Sequence, residues 1–156
     1  MKSCDLLIKD TTALIKSVCL MEHVDLAIQD GKILEVGEGI GDSYEADEQL
    51  EGRSKLFMPG LIDSHMHTGQ QLLKGLVLDA KPIIWTRIML PFESTMTRKR
   101  MALSARLAAL EMIKSGTTGF VDAGSYFMEE AAEVFVESGL RGALSCSTMD
   151  EEGLPQ

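Results

Sequence analysis

The chain has 156 residues, and its 24 Asp and Glu outnumber its 15 Lys and Arg, leaving a formal net charge of −9. That excess of negative charge argues against phosphate backbones and anionic lipid surfaces, so neither nucleic acid nor a membrane is expected as a partner. A hydrophobic share of 45% excludes a disordered chain, and no apolar run approaches the roughly 20 residues of a membrane span.

Residues 1–55 read as β-structure. Met1 to Asp5 runs quickly into charged Lys9 and Asp10 and contains no apolar signal core. Two short apolar runs, Asp5 to Lys9 and Thr12 to Ile15, are separated by Asp10-Thr11. Val24 to Ile28 alternates, reaches Asp30-Gly31 and resumes at Lys32 to Val36. Asp-Gly between alternating runs predicts a hairpin, because a type I′ turn wants positive φ at both central residues. Gly37, Gly39 and Gly41 then open a loop, and the acidic segment 42–51 leaves room for one more strand. His23 stands just ahead of a strand and reads as a surface residue. Cys4, Cys19 and Cys146 are odd in number and scattered, with neither disulfide nor metal-site spacing, and are expected to be reduced thiols of a cytoplasmic protein.

The sequence is organised around Lys55-Leu-Phe-Met-Pro-Gly-Leu-Ile-Asp-Ser-His-Met-His67. After Pro59-Gly60, the residues Leu61, Asp63, His65 and His67 share one parity. On a strand they face one side, with Cα atoms about 7 Å apart at roughly 3.4 Å per residue. Two imidazoles so spaced can lean together and reach one ion at about 2.0–2.1 Å each. Two histidines meeting by chance on a surface loop is the competing account. Asp63 lies deeper on the same face and either orients a ligand imidazole or makes a structural hydrogen bond.

A long connection follows, in which Gln70 to Gly75 can form a helical turn. Pro82-Ile-Ile-Trp85 and Pro91-Phe-Glu93 come next, and Thr95 to Thr97 offers an N-cap. Arg98 to Ser115 has helical spacing, with Met101, Leu103, Leu107, Leu110 and Ile113 as its apolar face and Gly116 closing it. Thr117 to Asp122 predicts a second strand. Phe127 to Ser138 predicts a second helix, with Ala131, Ala132, Phe135 and Val136 apolar and Gly139 as its stop. Arg141 to Cys146 predicts a third strand, and an acidic segment, 150–156, ends the sequence. Asp122 ends its strand and carries no assigned role beyond packing or loop hydrogen bonds.

Pro59-Gly-Leu-Ile-Asp-Ser-His-Met-His67 resembles the first barrel strand of the amidohydrolase superfamily. More narrowly it is similar to the chlorohydrolase and nucleoside-deaminase branch, which includes methylthioadenosine/S-adenosylhomocysteine deaminases. Ala109-Leu-Glu-Met-Ile-Lys-Ser-Gly-Thr-Thr-Gly-Phe-Val-Asp122 closely resembles the same branch. The resemblance implies an α/β chain: residues 1–55 as part of a small flanking β-sandwich, and 56–156 as the first three βα units of a (β/α)₈ barrel. It implies metal-dependent hydrolysis of a ring C–N bond, most closely the deamination of a purine nucleoside such as an adenosine derivative. Relatives act on guanine, cytosine or triazines. His65 and His67 would hold one divalent ion, zinc or alternatively iron(II), and a Glu in the position of Glu93 would grip ribose hydroxyls, with Trp85 beside the substrate. Glu93 reads equally as a surface carboxylate ahead of a helix.

The resemblance places a third histidine, an aspartate and a glutamate proton shuttle on later strands, so no catalytic residue is assigned in this chain. A complete barrel takes about 250 residues, so the sequence reads as the front of an enzyme, inactive alone, acting on a small molecule. It would be completed by the rest of the barrel, as a second chain or in a homo-oligomer. A truncated or split product without catalysis is the alternative.

Overall fold

A computed structural model describes residues 1–16, 18–77 and 83–147. Pro82 and the acidic end from Asp150 lie outside the described residues. The chain divides into two units, Met1–Pro59 and Gly60–Gln156.

Among the described residues, the first unit is a five-stranded sheet. Its strands are β1 (Lys2–Ile15), β2 (Cys19–Gln29), β3 (Lys32–Gly37), β4 (Tyr44–Glu51) and β5 (Leu56–Phe57). Their order is β3-β2-β1-β4, with β5 beside the far end of β1. β1 is therefore interior: β2 runs antiparallel along one edge, while β4 pairs parallel with Lys2 to Lys9 and β5 with Thr12 and Ala13 on the other. The β2–β3 turn has φ of 51° at Asp30 and 69° at Gly31, the two positive values the Asp-Gly turn requires. Leu7 and its cross-strand partner Ala27 pack on one face with Cys4 and Tyr44, while Ile8 and its partner Leu26 pack on the other with Ala13 and Val24.

The two apolar runs at the N-terminus are one strand, not two. Register shifts at Ile8/Thr11 and Thr11/Ala13 mark a bulge, where Asp10 takes a φ of 53° and the chain bends without leaving the sheet. His23 belongs inside β2, facing that bulge, also in the left-handed region at φ 55°. Side chains hold the pair: His23 Nδ1 lies 2.7 Å from Asp10 Oδ1, and Arg53 Nε donates to Asp10 Oδ2 at 3.0 Å. Asp25, buried beneath, accepts the Asp10 N–H at 3.0 Å and the Gly41 N–H at 2.9 Å.

The second unit begins with β6 (Leu61–Met66) and a 3₁₀ turn, Thr68–Leu73. A π-helical turn, Trp85–Met89, then leads into α1 (Leu90–Glu93), followed by α2 (Arg98–Ser115), β7 (Thr117–Ser125), α3 (Met128–Ser138) and β8 (Arg141–Cys146). The strands form a parallel sheet in chain order, β6-β7-β8. Thr97 caps α2 by accepting the Arg100 N–H at 3.3 Å, and Gly116 (φ 78°) and Gly139 (φ 75°) close α2 and α3 as their sequence positions predict.

The buried face of α2 differs from the expected one. Met101, Ser104, Ala105, Ala108, Ala109 and Met112 are buried, an i, i+3, i+4, i+7, i+8, i+11 stripe, whereas Leu103, Leu110 and Ile113 are each more than half exposed. Small residues win the interior because α2 must lie close to both the sheet and α3. A Leu in the place of Ala105 would hold those layers apart. Likewise α3 buries Ala131, Val134 and Phe135, while Val136 points outward. Met66, Met96, Met101, Met112 and Met128 fill the spaces around Phe120 and Phe135, a use suited to an unbranched, adaptable side chain.

The His23–Asp10–Arg53 group makes the first unit pH-sensitive. Asp10 raises the His23 pKa above its ordinary 6.5, and His23 and then Arg53 hold Asp10 below its ordinary 3.8. A raised histidine contributes stability below its unfolded pKa and loses it as pH rises through the folded value. The Asp10 contribution is present above the ordinary carboxylate value and lost as pH falls through the lowered one. Melting temperature measured from about pH 5 to 9, spanning the histidine range, should fall across neutrality in the parent protein. In His23→Asn that step should be absent.

Candidate metal and substrate site

β6 and β7 pair at Leu61↔Thr117, shift register before Ile62↔Gly119 and Asp63↔Phe120, and shift again before Met66↔Asp122. His65 falls in the interruption and His67 just past it, so both leave the ladder at the C-terminal end of the strand. Their rings are nearly perpendicular at 80°, with centroids 4.9 Å apart, and the two Nε2 atoms are 3.2 Å apart. Two nitrogens bound to one ion at about 2.0–2.1 Å and near-tetrahedral angles would be separated by about 3.1–3.4 Å. The separation matches that of two ligands on one divalent cation, and it is also the distance of a hydrogen bond between the two rings. Asp63 Oδ1 accepts the His65 backbone N–H at 3.2 Å, which is the structural one of its two readings. Among the described residues, no set of three or more His, Cys, Asp or Glu is grouped to hold a metal.

The turn after β6 is tied from several sides. The His67 carbonyl accepts from the Gln70 N–H and from Gln71 Nε2, each at 3.1 Å. Thr68, fully buried, donates its N–H at 2.8 Å and its hydroxyl to Asp122 Oδ2. The Thr68 carbonyl accepts from Ser104 Oγ on α2 at 2.6 Å. Asp122 Oδ1 accepts the Gly124 N–H at 2.7 Å. Gly69 allows this closeness, since a Cβ there would lie 2.5 Å from Ser125 Oγ. Gly124 is required as well, because its φ of 94° and the Ser145 carbonyl, 2.7 Å from an added Cβ, exclude a side chain.

Glu93, on α1, reaches the same end of the sheet and is 4% exposed. Its Oε2 accepts from Ser125 Oγ at 2.7 Å, and its Oε1 accepts from Gln70 Nε2. The surface reading of Glu93 is thereby overturned. A carboxylate has about four acceptor sites, and Gln70 and Ser125 occupy two. Trp85 starts the π-helical turn that leads into α1 and is 46% exposed. A cavity of about 250 Å³ is lined by Asp63, Gln71, Lys74 and Glu111, among others, and by neither histidine.

Asp122 was the residue whose role the sequence left blank, and Thr68, Ser104, Gln70 and Ser125 carried no assignment at all. The usable signal was Asp122-Ala-Gly124-Ser125, a carboxylate two residues before a glycine at a strand end, a pattern suited to a side chain bonding its own backbone two residues on.

Residues 56–153 match the model of the amidohydrolase family. A 5-methylthioadenosine/S-adenosylhomocysteine deaminase of Thermococcus onnurineus is 41% identical over 127 residues, which is 81% of this chain and 29% of the relative. A 5′-deoxyadenosine deaminase of Methanobrevibacter smithii is 34% identical over 149 residues, 90% of this chain and 34% of the relative. The chain thus spans about a third of the length of these relatives. Among solved structures, a zinc-bound adenosine deaminase from Xanthomonas campestris superposes with a TM-score of 0.80 at 25% identity, over 90% of this chain and 33% of that one. A guanine deaminase from C. acetobutylicum with bound guanine superposes with a TM-score of 0.78 at 21% identity, over 94% and 37%, and shares the fold.

The Glu93 bonds should be stabilising and coupled. Ser125→Ala and Gln70→Ala each leave a buried carboxylate short of a donor, which should lower unfolding free energy by about 1–3 kcal/mol. Because both partners serve one carboxylate, urea unfolding of the double variant should depart from the sum of the singles by about 0.5 kcal/mol or more. Strict additivity would separate the two bonds.

Proposed function

The chain belongs to the amidohydrolase family, and on that premise we propose that the complete protein is a metal-dependent aminohydrolase that deaminates a purine nucleoside, an adenosine derivative foremost. The observation that carries the reading is the convergence of the His65 and His67 Nε2 atoms, 3.2 Å apart, at the end of a parallel strand. The similarity to adenosine-type deaminases supports the substrate class. Deamination adds water across a ring carbon: a C–O bond forms, the C–N bond breaks, and the departing nitrogen takes protons to leave as ammonia.

His65 and His67 would hold the cation as neutral Nε2 donors. A divalent ion bound there would supply Lewis acidity and lower the pKa of its bound water to about 7. Zinc is the proposed ion, in keeping with the zinc in the Xanthomonas campestris deaminase, and iron(II) is the alternative. Asp63 and Asp122 keep the ligand backbone in place. Glu93 is proposed to accept hydrogen bonds from a ribose diol, whose hydroxyls would replace Gln70 or Ser125 as donors to this buried carboxylate. Trp85 is the second proposed substrate contact. The proton shuttle and remaining ligands are proposed to come from later strands, so residues 1–156 alone would not turn over. Among the described residues no helix is long and apolar enough to cross a membrane. The free thiols of Cys4, Cys19 and Cys146 support a reducing, cytoplasmic setting.

Zinc content measured on the complete protein checks the ligands: His65→Ala and His67→Ala should each strip most of the metal together with the ammonia-releasing activity. Full occupancy in either variant would remove that histidine from the site. Substrate comparison checks Glu93. Glu93→Gln should weaken transition-state binding of a nucleoside by about 1.5–3 kcal/mol, while the 2′,3′-dideoxy analogue is affected far less. Equal losses on both would make Glu93 a purely structural carboxylate.

A further inference from the structure

We propose that Asp122 is a positioning residue for the metal site, acting on His67 through Thr68. The inference rests on the reading of His65 and His67 as metal ligands. A regular parallel ladder would fix the direction of a ligand side chain through backbone hydrogen bonds on both edges. Here the β6–β7 register is broken between Asp63 and Met66, at the place where the two histidines leave the strand. The side chain of Asp122 takes over from the missing ladder. It lies opposite Met66 in the register, next to His67, and grips the following residue by both of its donors, the Thr68 N–H and the Thr68 hydroxyl.

The chemistry of the clamp calls for a carboxylate. Oδ2 receives the two Thr68 donors and Oδ1 receives the Gly124 N–H, so every contact of the group is as an acceptor. An amide in its place would turn an NH₂ toward at least one of those donors. The clamp is also closed to water. Thr68 and Ser104 are fully buried and Asp122 is 2% exposed. Ser104 holds the Thr68 carbonyl from the opposite side, and Ser145 Oγ donates to the Asp122 carbonyl at 3.2 Å. Thr68 is thus pinned at its N–H, its hydroxyl and its carbonyl. With the His67 carbonyl also held by Gln70 and Gln71, the backbone following His67 is fixed, and with it the direction in which its side chain leaves the main chain.

The test is cobalt(II) binding to the complete protein, followed by the visible absorption of the bound ion and by competition with a chelator, well below the melting temperature. Asp122→Asn and Thr68→Val should weaken cobalt binding by about 10–100-fold and change the band shape. Thr68→Ser, which restores the hydroxyl, should return both toward the parent. Phe135→Leu, a core change between α2 and α3, should lower stability without altering the spectrum. If the parent shows no cobalt band that His67→Ala abolishes, the metal reading and this inference fall together. If the parent binds cobalt through His67 but Thr68→Val keeps the parent affinity and spectrum, the clamp alone is overturned, even should Asp122→Asn fail to fold.

Discussion

One buried carboxylate ties down the end of β6 and the turn that follows it. Asp122 gathers the Thr68 N–H, the Thr68 hydroxyl and the Gly124 N–H, and so joins the turn after His67 to the strand beside it. Charge-assisted hydrogen bonds of this kind are each worth about 1.5–3 kcal/mol, and losing the acceptor would strand buried donors as well. The rest of the second unit is arranged to permit the contact. Gly69 and Gly124 let the backbones approach, and Ser104 rises from the small-residue face of α2 to meet Thr68.

Glu93 extends the same logic to the next connection. Through Ser125 it is tied to the end of β7, and through Gln70 to the turn that Asp122 already holds. Neither carboxylate belongs to an ion pair with Lys or Arg among the described residues. Two buried carboxyl groups at the C-terminal edge of the sheet are thus satisfied by neutral donors.

Those features carried in local chemistry were readable from the residues. Asp30-Gly31 encodes its own turn, Thr97 and Gly116 bracket α2, and the alternation through Leu61, Asp63 and His65 announces a strand with one chemically loaded face. The fold class was implied by the resemblance of Pro59 to His67 and Ala109 to Asp122 to the amidohydrolases, and the superposition on the Xanthomonas campestris deaminase bears it out. What escaped depends on partners distant in sequence. Leu103 and Leu110 outrank Ala105 and Ala108 in hydrophobicity, yet the space between α2 and α3 admits the alanines. Asp10-Thr11 looks like a turn between two strands, yet His23, Arg53 and Asp25 hold it as a bulge within one. Glu93 looks like a helix-flanking surface charge until Gln70 and Ser125 are folded around it.

The interior place of β1 has a consequence for synthesis. Lys2 must pair with Tyr44 and Ala13 with Phe57, so β1, made ahead of the four strands it joins in the sheet, waits longest to be enclosed on both edges. At about 5–20 residues per second, roughly 2–8 s separate the emergence of Lys2 from that of its parallel neighbour. During that interval the hairpin with β2 can cover one edge, while the other offers free N–H and C=O groups along Leu6 to Ile8. An open apolar edge on a nascent chain is a template for pairing with a neighbour. The vulnerable moment of this sheet thus comes before β4 and β5 are in place, and the segment at risk is its interior strand.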